Sequence, residues 1–213
     1  MDQETKRKTI HIGFGFLTPL IAILPRMLLV LITTVALFFI IVIARPTMWK
    51  KGFEAMASRE RDIRTGYLYG PLLYILMVLI SVTFLDLRIA ASVFCIMAFG
   101  DGFANVIGTR FGKHRYQRFQ NKSVEGFLAF FLAAFISSTF IFFLVSINPE
   151  FAPIFDLFSI RDPQTIIVYY FLLVNILVSL LSAIIELTTG DKLNDNLTVP
   201  IISGLLLTFL LKF

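Results

Sequence analysis

Apolar runs of about 18 residues or more alternate along this chain with short segments rich in Lys and Arg, and each run is long enough to cross a hydrocarbon core of roughly 30 Å. Hydrophobic residues make up 57% of the 213 and charged residues 15%, with a mean hydropathy of +0.84. Soluble domains run at roughly 45–50% and 25%. The pattern excludes a soluble globular protein and predicts an all-α, polytopic integral membrane protein, read as one transmembrane domain over residues 1–213.

Hydropathy places seven helices at 9–24, 27–44, 67–85, 88–108, 124–147, 165–187 and 197–212. The charged stretch MDQETKRKT before the first run has the order of a signal peptide but no small-residue cleavage site follows, so it reads as a retained first helix. Fifteen of the nineteen Lys and Arg fall in the N-terminus, 45–66, 109–123 and at Lys192, leaving Arg26, Arg88, Arg161 and Lys212 for the other side. The positive-inside rule then puts the N-terminus in the cytoplasm and, with seven spans, the C-terminus outside. On that topology the sequons at Asn121 and Asn196 are both cytoplasmic and are discounted. Cys95 lies inside a span and is the sole cysteine, so the chain has no internal disulfide.

Four polar clusters fall at the cytoplasmic boundary. RKTIH sets Arg7 and Lys8 four and three residues from His11, on one side of a helix. GDGFANVIGTRFG sets Asp101 and Asn105 four apart near the end of the fourth span. An ionisable group at that depth needs a cation, another helix or water. Gly108 and Gly112 in the same stretch admit either a ligand backbone contact or a crossing helix. NKSVEG opens the fifth span, where free N–H groups beside Lys122 and Ser123 suit a phosphate and Glu125 suits a metal or a basic partner. ELTTGDKLNDNLTVP carries Glu186, Asp191 and Asp195. Carboxylates, water and phosphate oxygens are the ligands Mg²⁺ prefers. Acids for a metal beside bases for phosphates describe a nucleotide site, although neither GxxxxGK[ST] nor GxGxxG is present.

In order, RKTIH, GDGFANVIGTRFG, NKSVEG and DNLTVP resemble the membrane lipid kinases that include dolichol, phytol and farnesol kinases and the yeast-type CTP-dependent diacylglycerol kinase. The resemblance implies transfer of the CTP γ-phosphate to a membrane lipid hydroxyl with Mg²⁺, and no nucleic-acid partner. It carries the family's blocks onto Arg7, Lys8 and His11; Gly100, Asp101, Asn105, Gly108 and Gly112; Lys122, Ser123, Glu125 and Gly126; and Asp195, Asn196 and Pro200. Asn194 stands where many relatives have a first aspartate, whose role passes to Asp191 or is unneeded.

The implied roles are Asp101, Asp195 and Glu125 around Mg²⁺, and Arg7, Lys8 and Lys122, with Arg110 or Lys113, around the phosphates. Asn105, Gly108, Gly112, Ser123 and Asn196 complete the nucleotide contacts, and His11 or an acidic neighbour orients or deprotonates the hydroxyl. Two rivals stand beside this reading. A phosphatidate cytidylyltransferase has the same chemical needs, and a transporter would place its polar groups near the bilayer midplane.

Overall fold

The computed structural model describes residues 3–57, 60–116, 122–147, 163–189 and 195–211, which are overwhelmingly helical. Helices occupy all seven expected segments: α1 (Gln3–Gly15) with α2 (Leu20–Ile23), α3 (Arg26–Phe38), α6 (Tyr69–Phe84), α7 (Leu87–Cys95) with α8 (Asp101–Phe111), α9 (Val124–Ser146), α10 (Pro163–Thr188) and α11 (Asp195–Leu211). Short helices α4 (Lys50–Met56) and α5 (Glu60–Thr65) fill the first basic connection. The second holds a two-residue antiparallel ladder, β1 (Arg115–Tyr116) against β2 (Lys122–Ser123), the one departure from all-α among the described residues.

Among the described residues, four helices are long and apolar enough to cross a membrane: Arg26–Ile43, Leu87–Phe111, Val124–Ser146 and Val168–Thr188. Lys8–Ile23, Tyr69–Phe84 and Asp195–Leu211 are apolar but shorter. The first expected span is broken, because Pro19 has no N–H to continue the ladder and the chain turns over 16–19, where Thr18 Oγ1 donates to the Gly15 carbonyl at 2.5 Å. Two π-helical segments, Phe39–Ile43 after α3 and Ile96–Gly100 between α7 and α8, keep their helices continuous while widening one turn.

Leu87–Phe111 is the axis of the bundle. Its most apolar window is 72% buried, against 11% for Arg26–Ile43. Small residues make this possible: Ala90, Ala91, Ser92, Ala98 and Gly100 let neighbours approach closely. A Cβ on Gly100 would come within 2.9 Å of the Phe130 ring, and one on Gly102 within 2.2 Å of Ile12. Helices α9 and α10 are stitched by Asn175, which is fully buried, accepts from Ser138 Oγ at 3.0 Å and donates to Thr139 Oγ1 at 2.8 Å. The Phe142 and Phe171 rings stack beside it at 3.7 Å.

Two of the four cations that lie outside the basic segments have structural tasks. Arg26 Nη1 donates to the Val82, Thr83 and Leu85 carbonyls at 3.1, 3.3 and 2.8 Å, satisfying the C-terminus of α6. Arg88 pairs with Asp86, the N-cap of α7, at 2.9 Å.

Candidate active site

The π-helical turn Ile96–Gly100 delivers Asp101 to the interior. Asp101 is 4% exposed and stands ten residues before the end of α8, deeper along its helix than the expected span end at 108 places it. A carboxylate there needs a cation, and α1 supplies one. Lys8, 5% exposed, donates from Nζ to Asp101 Oδ2 and to Asp195 Oδ2 at 3.4 Å. Lys8 is therefore a buried bridge between two carboxylates, where a topological reading of the sequence counts it among the surface cations of the N-terminus.

His11, one turn along α1, completes this cluster. Its Nε2 lies 3.3 Å from the Met97 carbonyl within the π-helical turn and 4.0 Å from Asp101 Oδ2. Toward a carbonyl the nitrogen can only donate, which leaves Nδ1 as the acceptor of the ring. The His11 ring packs edge-on to Tyr74 of α6 at 4.2 Å. Asp195 opens α11, and its Oδ1 accepts the Asn196 N–H at 3.0 Å. The Asn196 side chain is buried and donates to the Gly70 carbonyl at 3.4 Å, which tucks this sequon asparagine inside the fold.

A second cluster ties α9 to the end of α10. Lys122 Nζ meets Glu186 Oε1 at 2.8 Å, the Glu186 carbonyl, and the Thr189 carbonyl at 3.4 Å. Glu186 is 8% exposed. Ser123 is the N-cap of α9, its Oγ accepting from the Gly126 N–H at 3.0 Å.

The glycines of α8 serve a helix crossing. A Cβ on Gly108 would meet Ser123 Oγ at 3.0 Å and Gly126 Cα at 3.5 Å, one on Gly112 would meet Ser123 Cβ at 2.7 Å, and one on Gly126 would meet the Ala104 carbonyl at 2.9 Å. Sequence alone leaves open whether these glycines admit a ligand or a helix, and in the folded chain a helix takes the space. Asn105 lies between Asp101 and this crossing with its Oδ1 shielded from solvent and unpartnered among the described residues.

The structure thus brings together Lys8, His11, Asp101, Asp195 and Asn196, and sets Lys122 on Glu186. It directs Glu125 elsewhere, to His114 Nδ1 at 2.9 Å and the His114 N–H at 3.3 Å. Arg110 and Lys113 are exposed. The Arg7 side chain, Asp191 and Asn194 lie outside the described residues. Tyr74 and the Met97 carbonyl are members that sequence reasoning missed. The one signal for Tyr74 is its place a helical turn after Gly70-Pro71, where α6 meets the Asn196 side chain.

Among the described residues no three His, Cys, Asp or Glu side chains are grouped to hold a metal alone. The donor set fits a nucleotide-bound Mg²⁺ nonetheless, because Asp101 and Asp195 already converge on one cation and Mg²⁺ takes one or two carboxylates with water and phosphate oxygens.

A cleft of about 60 Å³ opens from this cluster, with Lys8, His11 and Asn196 at its polar end and Phe14, Ile40, Met56 and Ile75 along its apolar walls. Buried ionisable side chains at the head of an apolar-walled cleft, inside a bundle of apolar helices long enough to cross a membrane, are the features that the fold and the site define. The chain belongs to the cytidylyltransferase family, whose model matches residues 3–191. It is 26% identical to the chloroplast farnesol kinase of Arabidopsis thaliana over 96% of this chain and 64% of that one. It is 27% identical to a protein named a probable phytol kinase from Glycine max over 95% and 61%. A 73-residue stretch, 32% of the chain and 31% of the relative, is 45% identical to the phytol kinase of Synechocystis. The chain spans a little under two thirds of the length of the two plant relatives. No solved structure matches it.

Proposed function

We propose that this chain is a CTP-dependent kinase of isoprenoid alcohols of the phytol or farnesol type, working on the cytoplasmic side of a membrane that all seven apolar segments cross. The observation that carries the reading is the buried Lys8–Asp101–Asp195 cluster at the head of an amphipathic cleft. The names of the farnesol and phytol kinase relatives support the acceptor class, and the excess of Lys and Arg in the N-terminal and 45–66 segments supports the orientation.

Phosphoryl transfer asks little covalent chemistry of a protein; it asks for an in-line pose and neutralised oxygens. Asp101 and Asp195 would hold Mg²⁺, which supplies charge neutralisation at the nucleotide phosphates when bound. Lys8 and Lys122 add fixed positive charge, and Asn105 offers the nucleotide an acceptor, its Oδ1, which has no partner among the described residues. His11 presents Nδ1 as acceptor for the alcohol proton, because Nε2 is committed to the Met97 carbonyl. The alcohol oxygen bonds to the γ-phosphorus, the bond from that phosphorus to the β-bridging oxygen breaks, and the nucleoside diphosphate leaves with the electron pair.

Purified protein with Mg²⁺, labelled CTP or ATP, and a panel of farnesol, phytol, a polyprenol and diacylglycerol tests donor, acceptor and reaction together. Label from the γ-phosphate entering an isoprenoid alcohol is the expected result. Label from the α-phosphate entering a lipid would establish cytidylyl transfer, the reaction in the family's name, and overturn the kinase reading.

A further inference from the structure

Tyr74 is 5% exposed, lines the cleft, and its hydroxyl is buried without a hydrogen-bond partner among the described residues. Buried hydroxyls are ordinarily satisfied, so an unpartnered one on a residue that lines a cleft marks a place for a polar group that arrives with a ligand. The ring is locked: His11 packs on it at 4.2 Å and Phe94 at 5.3 Å. Its hydroxyl is therefore pre-positioned. The rest of the cleft carries the complementary message, since beyond Lys8, His11 and Asn196 it is walled by Phe14 of α1, Ile40 of the first π-helical segment, Met56 of α4 and Ile75 of α6.

We propose that this cleft is the acceptor seat, that Tyr74 hydrogen-bonds the hydroxyl of the incoming alcohol, and that Ile40 and Met56 measure its hydrocarbon chain. The inference rests on the kinase reading above and sharpens it. One polar end and one apolar passage suit a primary alcohol on a single chain. Diacylglycerol, with two chains and two ester groups, finds no counterpart for its second arm among the described residues that line the cleft. The widened turn at Phe39–Ile43 sets Ile40, 6% exposed, against the core cluster that also contains Phe53 and Leu68, so the wall is braced from behind.

The test has two independent arms. The first is binding without nucleotide, read as thermal stabilisation of the detergent-purified protein by geraniol, farnesol and geranylgeraniol. Stabilisation that grows with chain length in the wild type and is lost for geranylgeraniol, but not geraniol, in Met56→Trp or Ile40→Trp is the expected outcome. The second is steady-state kinetics of Tyr74→Phe, where loss of one hydrogen bond in a closed site raises the alcohol KM by about tenfold and leaves the nucleotide KM unchanged. Unchanged chain-length profiles in both tryptophan variants overturn the seat. So does a Tyr74→Phe variant that shifts nucleotide and alcohol KM alike. Chain-length-dependent binding with no phosphorylation of any alcohol would uphold the seat and refute the kinase reading instead.

Discussion

Asp101 and Glu125 carry the same chemistry at the starts of neighbouring helices, and the fold treats them in opposite ways. The Lys8–Asp101 pair is sealed, with both side chains 6% exposed, whereas in the His114–Glu125 pair the two side chains are 79% and 26% exposed. An open pair forms and breaks in water at little net gain. A sealed one costs desolvation on both sides, and replacement by apolar residues would often be as stable. Asp195 sets a second carboxylate on the same ammonium, an arrangement that the proposed chemistry accounts for better than stability does. The comparison teaches that burial, and not residue type or position in the helix, separates the carboxylate that the proposed function uses from the one paired with His114 at the surface.

The sharpest way to break that comparison is Asp101→Asn, which keeps size and removes charge. Phosphoryl transfer should fall by at least about a hundredfold, the scale of losing one preorganised charged contact to a transition state. Rate measurements on protein that elutes as a single species with unchanged helical content check this. Retained activity would remove Asp101 from the proposed metal site.

Stability gives the next test. In Asp101→Asn the Lys8 ammonium stays buried beside a neutral amide, and half of a sealed pair is gone, a change that costs about 3–5 kcal/mol in other buried pairs. Asp195 holds the same ammonium at 3.4 Å, so the loss should sit at the lower end. Adding Lys8→Met to Asp101→Asn should recover thermal stability without recovering activity. If the double variant is no more stable than the single one, the pair is not the sealed unit its burial describes.

A third measurement compares the two faces of the helix crossing beside the site. Gly126→Ala drives a Cβ to 2.9 Å from the Ala104 carbonyl, which is backbone and cannot turn aside, whereas Gly108→Ala meets the Ser123 hydroxyl at 3.0 Å. Overpacking of this kind costs about 1–3 kcal/mol. Gly126→Ala should lie at the upper end and Gly108→Ala at the lower, by thermal unfolding in the same detergent. Equal effects would mean that the Ser123 cap is as rigid as the backbone.

How much of this was legible in the sequence follows from which interactions are local. The helices after the first fall within three residues of the bounds read from hydropathy, because a long apolar run has few alternatives in lipid. The break at 16–19 was signalled by Pro19, but the π-helical turns carry no mark in the residues that form them. The four polar clusters were legible as blocks. Their partners were not, because Lys8 to Asp101 spans 93 positions and Lys8 to Asp195 spans 187. Sequence therefore offers Asp101, Asp195 and Glu125 as equals. Only the docking of α1 onto α8 and α11 decides which of them meet.

The smallest expected effect is the other half of the comparison. Glu125→Gln and His114→Ala alter an exposed pair whose histidine is 79% in solvent, so activity should stay within about twofold of the parent. The same carboxylate also accepts the His114 backbone N–H at 3.3 Å, which an amide oxygen at the same position can still accept, so the turn after α8 keeps its shape in Glu125→Gln. Parallel assays of Glu125→Gln and Asp101→Asn at saturating and limiting nucleotide check this. A loss in Glu125→Gln as deep as that in Asp101→Asn would mean that Glu125 leaves His114 when nucleotide binds and joins Asp101 and Asp195, in the role its sequence block implies.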